Sequence, residues 1–226
     1  MILNVYKEKG WTSHDVVAKL RGVLRTKKIG HAGTLDPLAE GVLVVLTGED
    51  TKKQPEIMNL RKEYLAEIAF GVRSLTYDME GPLSFSDNPV NLDEIKEKLG
   101  DLLQKYTGKF AQRVPAFSAV KVEGRKLYKK ARAGQTNEDE LPVKEVEVYD
   151  LELQKLEERS IGDKKLPVAN LKITCAKGFY VRSLAHDLGE DLGVGGVIVS
   201  LVRTRVGDFT IEKAQKISQI AHTTLE

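Results

Sequence analysis

The sequence predicts an α+β fold with a mixed, largely antiparallel central sheet flanked by helices. Its strand patterns alternate apolar and polar residues, as half-buried antiparallel strands do, instead of being apolar throughout. Helical patterns are interspersed among these strands. The 226 residues are 41% hydrophobic, and they contain no internal repeat or low-complexity linker. We therefore expect one main domain, residues 1–226, with an inserted segment.

The first half of the chain contains two predicted helices and two predicted strands. Thr12 or Ser13 can cap a helix whose apolar residues recur at helical spacing, and Asn91 can cap a second helix. The apolar run at residues 42–46 predicts a short buried strand. Alternation in "KEYLAEIAF" predicts a half-buried strand that begins near Tyr64.

The second half predicts a similar mixture. Residues 146–153 indicate a strand whose phase changes near Tyr149 and Asp150, and residues 169–175 alternate as another strand. An apolar stripe at residues 181–192 predicts a helix that Gly193 ends, with Arg182 in its first turn. Further along, "VIVSLVRTRVGDF" predicts a late strand, and a short polar helix follows near residues 211–220.

Composition excludes several functional classes. The single cysteine, Cys175, excludes an internal disulfide and any multi-cysteine zinc site, and the four histidines show no ligand spacing. No apolar run approaches the roughly 20 residues that span a bilayer, and no secretory signal pattern follows Met1. We expect a cytoplasmic protein with no metal site and no membrane association.

Basic side chains are concentrated in two places, although the net charge is only +2. One cluster lies in "KVEGRKLYKKAR", residues 121–132, and the other consists of Arg25, Lys27 and Lys28. Each cluster alone is typical of a solvated surface. Because both lie near glycine-rich loops, a solvated face and a nucleic-acid interface remain alternatives.

The segment "KIGHAGTLDPLAEGVLVV" places one carboxylate, Asp36, directly before Pro37. The proline ring restricts the preceding residue to extended backbone conformations, which limits where this carboxylate can point. The glycine-rich run lacks the Gly-Lys-Ser/Thr ending of a P-loop, and it precedes a strand where a dinucleotide-binding motif would follow one. The chain also lacks a Gly-x-Ser-x-Gly elbow and a second carboxylate placed as a glycosidase partner. Asp36 is therefore either a turn residue or a preorganised reactive carboxylate.

The pattern "GHAGTLDPLAEGVL" closely resembles the motif Gly-His-Thr-Gly-Thr-Leu-Asp-Pro-Leu-Ala-x-Gly-Leu/Val-Leu of the TruB family of tRNA pseudouridine synthases. Four further segments resemble family motifs in the family's order: "KEKGWTSHDVV", "KEYLAEIAFG", "VPAFSAVKVEGRKLYKKARAG" and "CAKGFYVRSLAHDLGEDLG". The resemblance covers about residues 2–210. It implies a pseudouridine synthase fold with an inserted basic thumb at about residues 112–140 and a helical tail at about residues 211–226.

The resemblance implies an enzyme that converts a uridine in the T-loop of tRNA, position 55 by tRNA convention, to pseudouridine without cofactor or metal. Asp36 matches the family nucleophile, and Arg182 matches the arginine that pairs with it. Tyr64 matches the tyrosine that stacks on the target base and is proposed to take the C5 proton. His31 matches the residue that occupies the place of the flipped uridine, and Leu201 matches a pocket leucine.

The other expected RNA contacts are basic or aromatic side chains near these motifs. They are Tyr180, Lys7, Lys9, Lys28, Lys121, Lys126, Lys129, Lys130 and Arg132. The expected partner is the T-arm of tRNA, bound by a monomer without a guide RNA. Two alternatives stay open, a noncatalytic tRNA-binding or folding protein and a guide-RNA-dependent pseudouridine synthase.

The sequence also departs from the family pattern. "KEKG" replaces Lys-Pro-x-Gly, and Ala32 replaces a threonine. "SLT", residues 74–76, replaces Thr-Asp-Thr, and Val197 stands where a histidine is frequent. Most family members continue into an RNA-binding PUA domain, which these 226 residues do not include. We therefore expect weaker tRNA affinity with the chemistry retained.

Overall fold

The computed structural model describes residues 1–87, 90–122 and 124–223. These residues belong to two compact units. Unit 1 contains Met1–Leu65, Thr174–Lys177 and Ser200–Glu226, and unit 2 contains Ala66–Ile173 and Gly178–Val199. Residue 123 of the predicted thumb and residues 224–226 of the predicted tail lie outside the described residues.

The strands and helices are numbered in chain order. The strands are β1 (Ile2–Lys7), β2 (Ile29–His31), β3 (Glu40–Thr47), β4 (Lys62–Phe70), β5 (Val72–Ser74), β6 (Leu83–Phe85), β7 (Gly108–Arg113), β8 (Lys121–Val122), β9 (Arg125–Lys126), β10 (Val143–Ile161), β11 (Lys164–Cys175), β12 (Gly196–Val206) and β13 (Phe209–Thr210). The α-helices are α1 (Ser13–Val23), α2 (Gln54–Asn59), α3 (Leu92–Lys105), α4 (Leu127–Arg132), α5 (Val181–Asp191) and α6 (Ile217–Thr223). Short 3₁₀ turns lie at Gly48–Lys53, Glu138–Glu140 and Ile211–Lys213.

The main sheet has nine strands in the order β1-β3-β12-β4-β11-β10-β7, with β2 beside β3 and β13 beside β12. The pairs β1–β3, β2–β3, β7–β10 and β12–β13 are antiparallel, whereas β3 and β12 run parallel. Strands β4, β11 and β12 contribute residues to both units. This architecture confirms the predicted α+β class and the mixed, largely antiparallel sheet.

Strand β3 is the buried centre of unit 1. Strand β1 pairs with it antiparallel, from Ile2 opposite Leu46 to Lys7 opposite Gly41. Strand β12 joins the start of β3 in parallel, with Arg203 opposite Gly41. A Cβ atom at Gly41, where φ is +103°, would lie 2.3 Å from the carbonyl oxygen of Arg203. Glycine is therefore required where these two strands meet.

Helix α1 of unit 1 begins as the sequence predicts. The Thr12 side chain accepts a hydrogen bond from the backbone N–H of Asp15, and the Asp15 carboxylate accepts one from the backbone N–H of Thr12. This reciprocal capping box satisfies two N–H groups that the helix leaves unpaired. The buried face of the helix consists of Ser13, Val16, Val17 and Leu20.

Unit 2 contains α3, α5 and the long hairpin of β10 and β11. The Asn91 side chain caps α3 by accepting from the backbone N–H of Asp93, as predicted. In β10, burial changes phase between Val148 and Leu151, across the exposed pair that the sequence indicates. Helix α5 ends at Asp191, and Leu192 is its C-cap. Gly193 follows in a left-handed conformation, as the sequence predicts for the residue that ends this helix.

Two differences from the predicted elements have local causes. Strand β4 begins at Lys62, two residues before Tyr64. The predicted terminal helix is interrupted, because Ala214 is extended and Gln215 exchanges backbone hydrogen bonds with β1. Strands β1, β2, β5, β6 and β7 and helix α2 are short elements without a clear period, and the sequence did not predict them.

Replacing Gly41 by alanine should lower the free energy of unfolding by about 2–4 kcal/mol, because a Cβ is strained at this φ and overlaps the backbone of β12. The matched variant Gly22→Ala lies on the exposed side of α1, with no atom within 4 Å of the added Cβ. It should raise the free energy of unfolding by about 0.5–1 kcal/mol. Urea denaturation of both variants tests the pair. Equal effects of the two substitutions would contradict this role of Gly41.

Candidate active site

Asp36 lies in an irregular loop between β2 and β3, residues 32–39, which we call the aspartate loop. The residue before Asp36 is anchored from both sides, since the backbone N–H of Leu35 donates to the Ser13 hydroxyl (2.8 Å). The same hydroxyl donates to the carbonyl oxygen of Leu35 (3.0 Å). Ser13 is buried at the start of α1, so helix α1 fixes the backbone beside Asp36.

The residue after Asp36 is anchored by the turn that joins β1 to α1. The carbonyl oxygen of Pro37 accepts from the backbone N–H of Gly10 (2.8 Å) and from Lys7 Nζ (3.4 Å). Lys7 also donates to the carbonyl oxygens of Glu8 and Trp11. The Lys7 side chain is 0% exposed, so our prediction that it contacts RNA does not fit its place in the structure. This buried ammonium satisfies backbone carbonyls and holds the aspartate loop.

A second buried cation, Arg203 of β12, reaches the aspartate loop from the sheet. Its guanidinium donates from Nη2 to the carbonyl oxygen of Gly33 (3.1 Å) and from Nη1 to that of Thr34 (3.3 Å). Its Nε donates to the carbonyl oxygen of Val42 at the start of β3 (2.8 Å). The residue is 1% exposed. Arg203 is not among the site residues predicted from the sequence. Its burial could have been inferred from the sequence, because residues two apart on a strand share a face and Arg203 lies two residues after the apolar Leu201.

Tyr64 lies on β4, within the same unit as the aspartate loop, and is partly exposed. Burial raises the pKa of Tyr64, so its side chain is a neutral phenol at neutral pH. The charge of the Arg203 guanidinium acts against this rise in pKa, and the charge of Asp36 acts in the same direction as burial. Tyr64 is therefore within electrostatic reach of both Asp36 and Arg203.

His31 and Leu201 also belong to unit 1. His31 ends β2, directly before the aspartate loop, and is half-buried. Burial lowers the pKa of His31, and the charges of Arg203 and His14 lower it further, so the imidazole is neutral at pH 7. Leu201 is buried on β12, two residues before Arg203. The structure thus places four of the predicted residues, Asp36, Tyr64, His31 and Leu201, in one unit.

Lys62 is a third buried cation of unit 1 that was not predicted from the sequence. Its Nζ donates to the carbonyl oxygens of Met58 and Leu60, at the C-terminal end of α2. Burial lowers the pKa of Lys62 to about 8, and the charges of Arg203 and Lys177 act in the same direction. Lys62 therefore stabilises the backbone that leads into β4, two residues before Tyr64.

Arg182 belongs to unit 2, in the first turn of α5 as predicted. Its Nη1 donates to the carbonyl oxygen of Thr76 (2.9 Å), and its Nη2 donates to that of Phe117 (3.0 Å). Its Nε lies 3.8 Å from the Asp78 carboxylate, and the two side chains are 6% and 2% exposed. Asp78 is itself held by the Thr76 hydroxyl and by the backbone N–H of Glu80. The guanidinium of Arg182 is consequently fixed in direction.

The segment "SLT" that departs from the family pattern supports this arginine. The Ser74 and Thr76 hydroxyls lie 3.0 Å apart, and a Cβ at Gly81 would lie 2.5 Å from the Ser74 hydroxyl. Leu75, which stands in place of the family's acid, is 70% exposed. The loss of that acid therefore leaves the contacts of Arg182 intact.

The segment predicted to form the basic thumb, residues 112–140, lies in unit 2 and contains the β8–β9 hairpin and α4. Its predicted RNA contacts are exposed, apart from the half-buried Lys130; they are Lys121, Lys126, Lys129 and Arg132. Two of these cations lie near the ring of Tyr128, with Lys126 Nζ 5.8 Å and Arg132 Cζ 5.7 Å from its centroid. Such an arrangement presents charge and an aromatic side chain on the same surface.

The three remaining predicted contacts differ in their surroundings. Tyr180 precedes α5, and Gln112 bonds to both its backbone N–H and its carbonyl oxygen. Lys9 is exposed. Lys28 is exposed and forms an ion pair with Glu49 (2.7 Å). Among the described residues, no group of three or more His, Cys, Asp or Glu side chains could hold a metal ion.

Two family models match the chain. The model described as TruB family pseudouridylate synthase (N terminal domain) matches residues 21–181. The model described as tRNA pseudouridylate synthase B C-terminal domain matches residues 182–225. Together they include Asp36, Tyr64 and Arg182, the three residues that the motif resemblance assigns to catalysis.

Curated relatives agree with these models. The tRNA pseudouridine synthase B of Thermobifida fusca (strain YX) is 41% identical over 220 residues, 97% of this chain and 74% of that protein. That of Lactococcus lactis subsp. lactis (strain IL1403) is 42% identical over 221 residues, 97% of this chain and 65% of that protein. The protein of the same name from Clostridium tetani (strain Massachusetts / E88) is 36% identical over 225 residues, 100% of this chain and 74% of that protein.

Solved structures give the same fold. A chain in the structure of an H/ACA RNP bound to a substrate RNA containing 2'-deoxyuridine has a TM-score of 0.68 and 25% identity, covering 98% of this chain and 52% of that one. A chain in a Cbf5-Nop10-Gar1 complex has a TM-score of 0.67 and 27% identity, covering 98% of this chain and 53% of that one. Fold and site together define a pseudouridine synthase. Within that class, the chain belongs to the TruB family.

The buried ammonium of Lys62 should make stability depend on pH in a way that Lys62→Met removes. The unfolded side chain keeps its proton up to about pH 10.5, whereas the folded one gives it up near pH 8. Between these values the unfolded state binds more protons, so the free energy of unfolding contributed by Lys62 rises with pH, by about 1–3 kcal/mol in total.

Urea denaturation of wild type and Lys62→Met from pH 7 to 10.5 measures this rise as a change in their difference. Lys96→Met removes an exposed lysine of α3 and is the matched control, which should show no such rise. A difference between wild type and Lys62→Met that stays constant over this range would contradict the assigned burial cost.

Proposed function

We propose that this protein converts the uridine at position 55 in the T-loop of tRNA to pseudouridine, with Asp36 as the nucleophile. The observation that carries the proposal is the anchoring of Asp36. The residues on both sides of it are fixed by buried donors, and Tyr64 lies within electrostatic reach. Its relatives named tRNA pseudouridine synthase B supply the substrate class.

The chemistry matches what these side chains can do. The bond between N1 of the uracil and C1' of the ribose breaks, the base turns within the site, and C5 bonds to C1'. A proton leaves C5 and N1 gains one, so the reaction is an isomerisation without net oxidation or reduction. A carboxylate can act as the nucleophile in such a sequence. The neutral phenol of Tyr64 suits stacking on an uncharged base.

The target uridine has to leave the stacked loop before it can react, which costs a few kcal/mol. His31 is proposed to occupy the space that the base leaves, and its lowered pKa supports a neutral, stackable ring in that role. Arg182 is retained in the proposal as the catalytic arginine. Its support is a guanidinium oriented by two carbonyl groups and Asp78 within unit 2.

The thumb is proposed to bind the tRNA backbone through its exposed lysines and arginine, without a guide RNA and by a monomer. A guide-dependent activity is the second candidate, because one structural relative is an H/ACA RNP bound to a substrate RNA. The sequence identity of 41% and 42% to proteins named tRNA pseudouridine synthase B favours the stand-alone activity over the guide-dependent one.

The direct test compares wild type with Asp36→Asn on an unmodified tRNA transcript containing tritium at C5 of uridine. Wild type alone should release tritium and form pseudouridine at position 55, whereas Asp36→Asn should form essentially none because an amide is not a nucleophile here. Asp208→Asn, which changes an exposed aspartate of unit 1, is the matched control and should keep wild-type activity.

Each alternative gives its own result in this assay. A noncatalytic tRNA-binding protein would bind the transcript without releasing tritium. A guide-dependent enzyme would be inactive alone and active when a pairing guide RNA is added. Activity of Asp36→Asn equal to wild type would contradict the nucleophile assignment while leaving the family membership untouched.

Neutralising the thumb should weaken tRNA binding, because fewer phosphates are then neutralised by protein cations. The triple variant Lys121→Gln, Lys126→Gln, Lys129→Gln should reduce the slope of log Kd against log salt by about 0.7–0.9 for each phosphate that these lysines neutralise. The matched triple variant Lys52→Gln, Lys96→Gln, Lys98→Gln removes the same charge from exposed lysines elsewhere. Filter binding at several salt concentrations compares them, and equal slopes for the two triple variants would contradict the thumb as an RNA surface.

A further inference from the structure

We propose that Arg203 is a positioning residue that fixes the aspartate loop relative to the neighbouring strand β4, which carries Tyr64. This inference deepens the proposed function and rests on it for the role of the two residues that are positioned. Arg203 itself is 1% exposed, so its effect on catalysis is exerted through the groups that it contacts.

The guanidinium of Arg203 bonds to the backbone on both sides of Asp36. Its three donor nitrogens bond to the carbonyl groups of Gly33 and Thr34 in the aspartate loop and of Val42 in β3. These bonds connect the first part of the loop and the strand that follows it to one side chain. Because the loop has no regular hydrogen-bond pattern of its own, these donors replace the pairing that a helix or strand would supply.

The backbone of Arg203 is equally constrained. It pairs with Gly41 in the parallel register of β3 and β12, at a distance that excludes any side chain on Gly41. A Cβ at Gly33, where φ is +106°, would lie 3.6 Å from Nη1 of Arg203. Gly41 therefore gives the Arg203 backbone close access to β3, whereas Gly33 is favoured by its positive φ and leaves Arg203 in ordinary contact distance.

Arg203 also lies near Tyr64, because the strands that carry them, β12 and β4, are neighbours in the main sheet. The charge of Arg203 lowers the pKa of Tyr64, whereas burial and the charge of Asp36 raise it. In the part of the chain that the structure describes, no ion pair includes Arg203, so its charge acts on these neighbours without a carboxylate in direct contact. One side chain thus connects Tyr64 with the loop that carries Asp36.

Arginine is the residue type that this task requires. Its planar guanidinium presents five N–H donors in fixed directions, whereas a lysine ammonium presents three donors at one point. Arg203→Lys keeps the charge but cannot bond to Gly33, Thr34 and Val42 together. Arg203→Gln keeps donors, has no charge and avoids burying a bare ammonium.

The experiment measures kcat, tRNA affinity and the Tyr64 signal in wild type, Arg203→Lys and Arg203→Gln. Because a displacement of about 1 Å can cost on the order of 100-fold in rate, kcat for pseudouridine formation should fall by about this factor in both variants. Affinity for tRNA should stay within about threefold, since Arg203 is buried. Arg205→Lys, two residues along the same strand but exposed and ion-paired to Glu63, is the matched control and should keep wild-type kcat.

The second readout is independent of activity. In protein labelled with ¹³C at tyrosine Cζ, with the Tyr64 signal assigned through Tyr64→Phe, the pH of phenol ionisation should increase from wild type to Arg203→Lys and again to Arg203→Gln. A merely structural role would not produce this order. Folded variants with wild-type kcat and an unchanged Tyr64 signal would overturn the inference, as would failure of both variants to fold.

The two proposals fail separately. If wild type forms no pseudouridine, the proposed function fails, but the order of Tyr64 ionisation still tests whether the charge of Arg203 acts on Tyr64. If wild type is active and a loss of rate in Arg203→Lys is matched by an equal loss of tRNA affinity, the positioning role is wrong and the proposed function stands.

Discussion

The site in unit 1 depends on buried cations that donate to the backbone of an irregular loop. A carboxylate in a loop points in a defined direction only if the loop carbonyls find donors, because unpaired buried carbonyls cost free energy and would favour other conformations. Lys7 supplies a donor at Pro37, and Arg203 supplies donors at Gly33, Thr34 and Val42. The backbone on both sides of Asp36 is therefore held by these contacts and by Ser13.

Hydrogen bonds between a buried arginine and backbone carbonyls also orient the predicted catalytic group of unit 2. There the arginine is the predicted catalytic group, and carbonyl oxygens at Thr76 and Phe117 fix its guanidinium. Asp78 supplies the opposite charge that a buried arginine requires. Three segments far apart in sequence, around residues 76, 117 and 182, therefore meet at one side chain.

Much of the fold followed from the sequence, because its period and capping residues are local signals. The Thr12 and Asn91 caps, the run of β3 and the change of phase in β10 are of this kind. The short strand β1 was not predicted, because its six residues carry no clear alternation and its partner lies some forty residues further along the chain. The interrupted C-terminal helix likewise depends on pairing of Gln215 with β1.

The predicted site was limited in the same way. Motif resemblance pointed to Asp36, Tyr64 and Arg182 as the catalytic residues. Lys7 was expected to contact RNA because it is basic and near a motif, but its side chain is buried. The resemblance did not identify Arg203, Lys62 or Asp78, whose roles arise from tertiary contacts with distant carbonyls and charges. A buried cation on a strand cannot be distinguished in the sequence from an exposed one, because the pattern does not show which backbone carbonyls the folded chain places around it.

A structure of this protein bound to a T-arm stem-loop with 5-fluorouridine at the target position would test the central claim most directly, because fluorine at C5 cannot leave as a proton. The account predicts the fluorinated base, flipped out, in contact with Asp36 and stacked on Tyr64. It also predicts that the carbonyls of Gly33, Thr34 and Val42 stay bonded to Arg203. A displaced aspartate loop, or a target base bound away from Asp36, would contradict it.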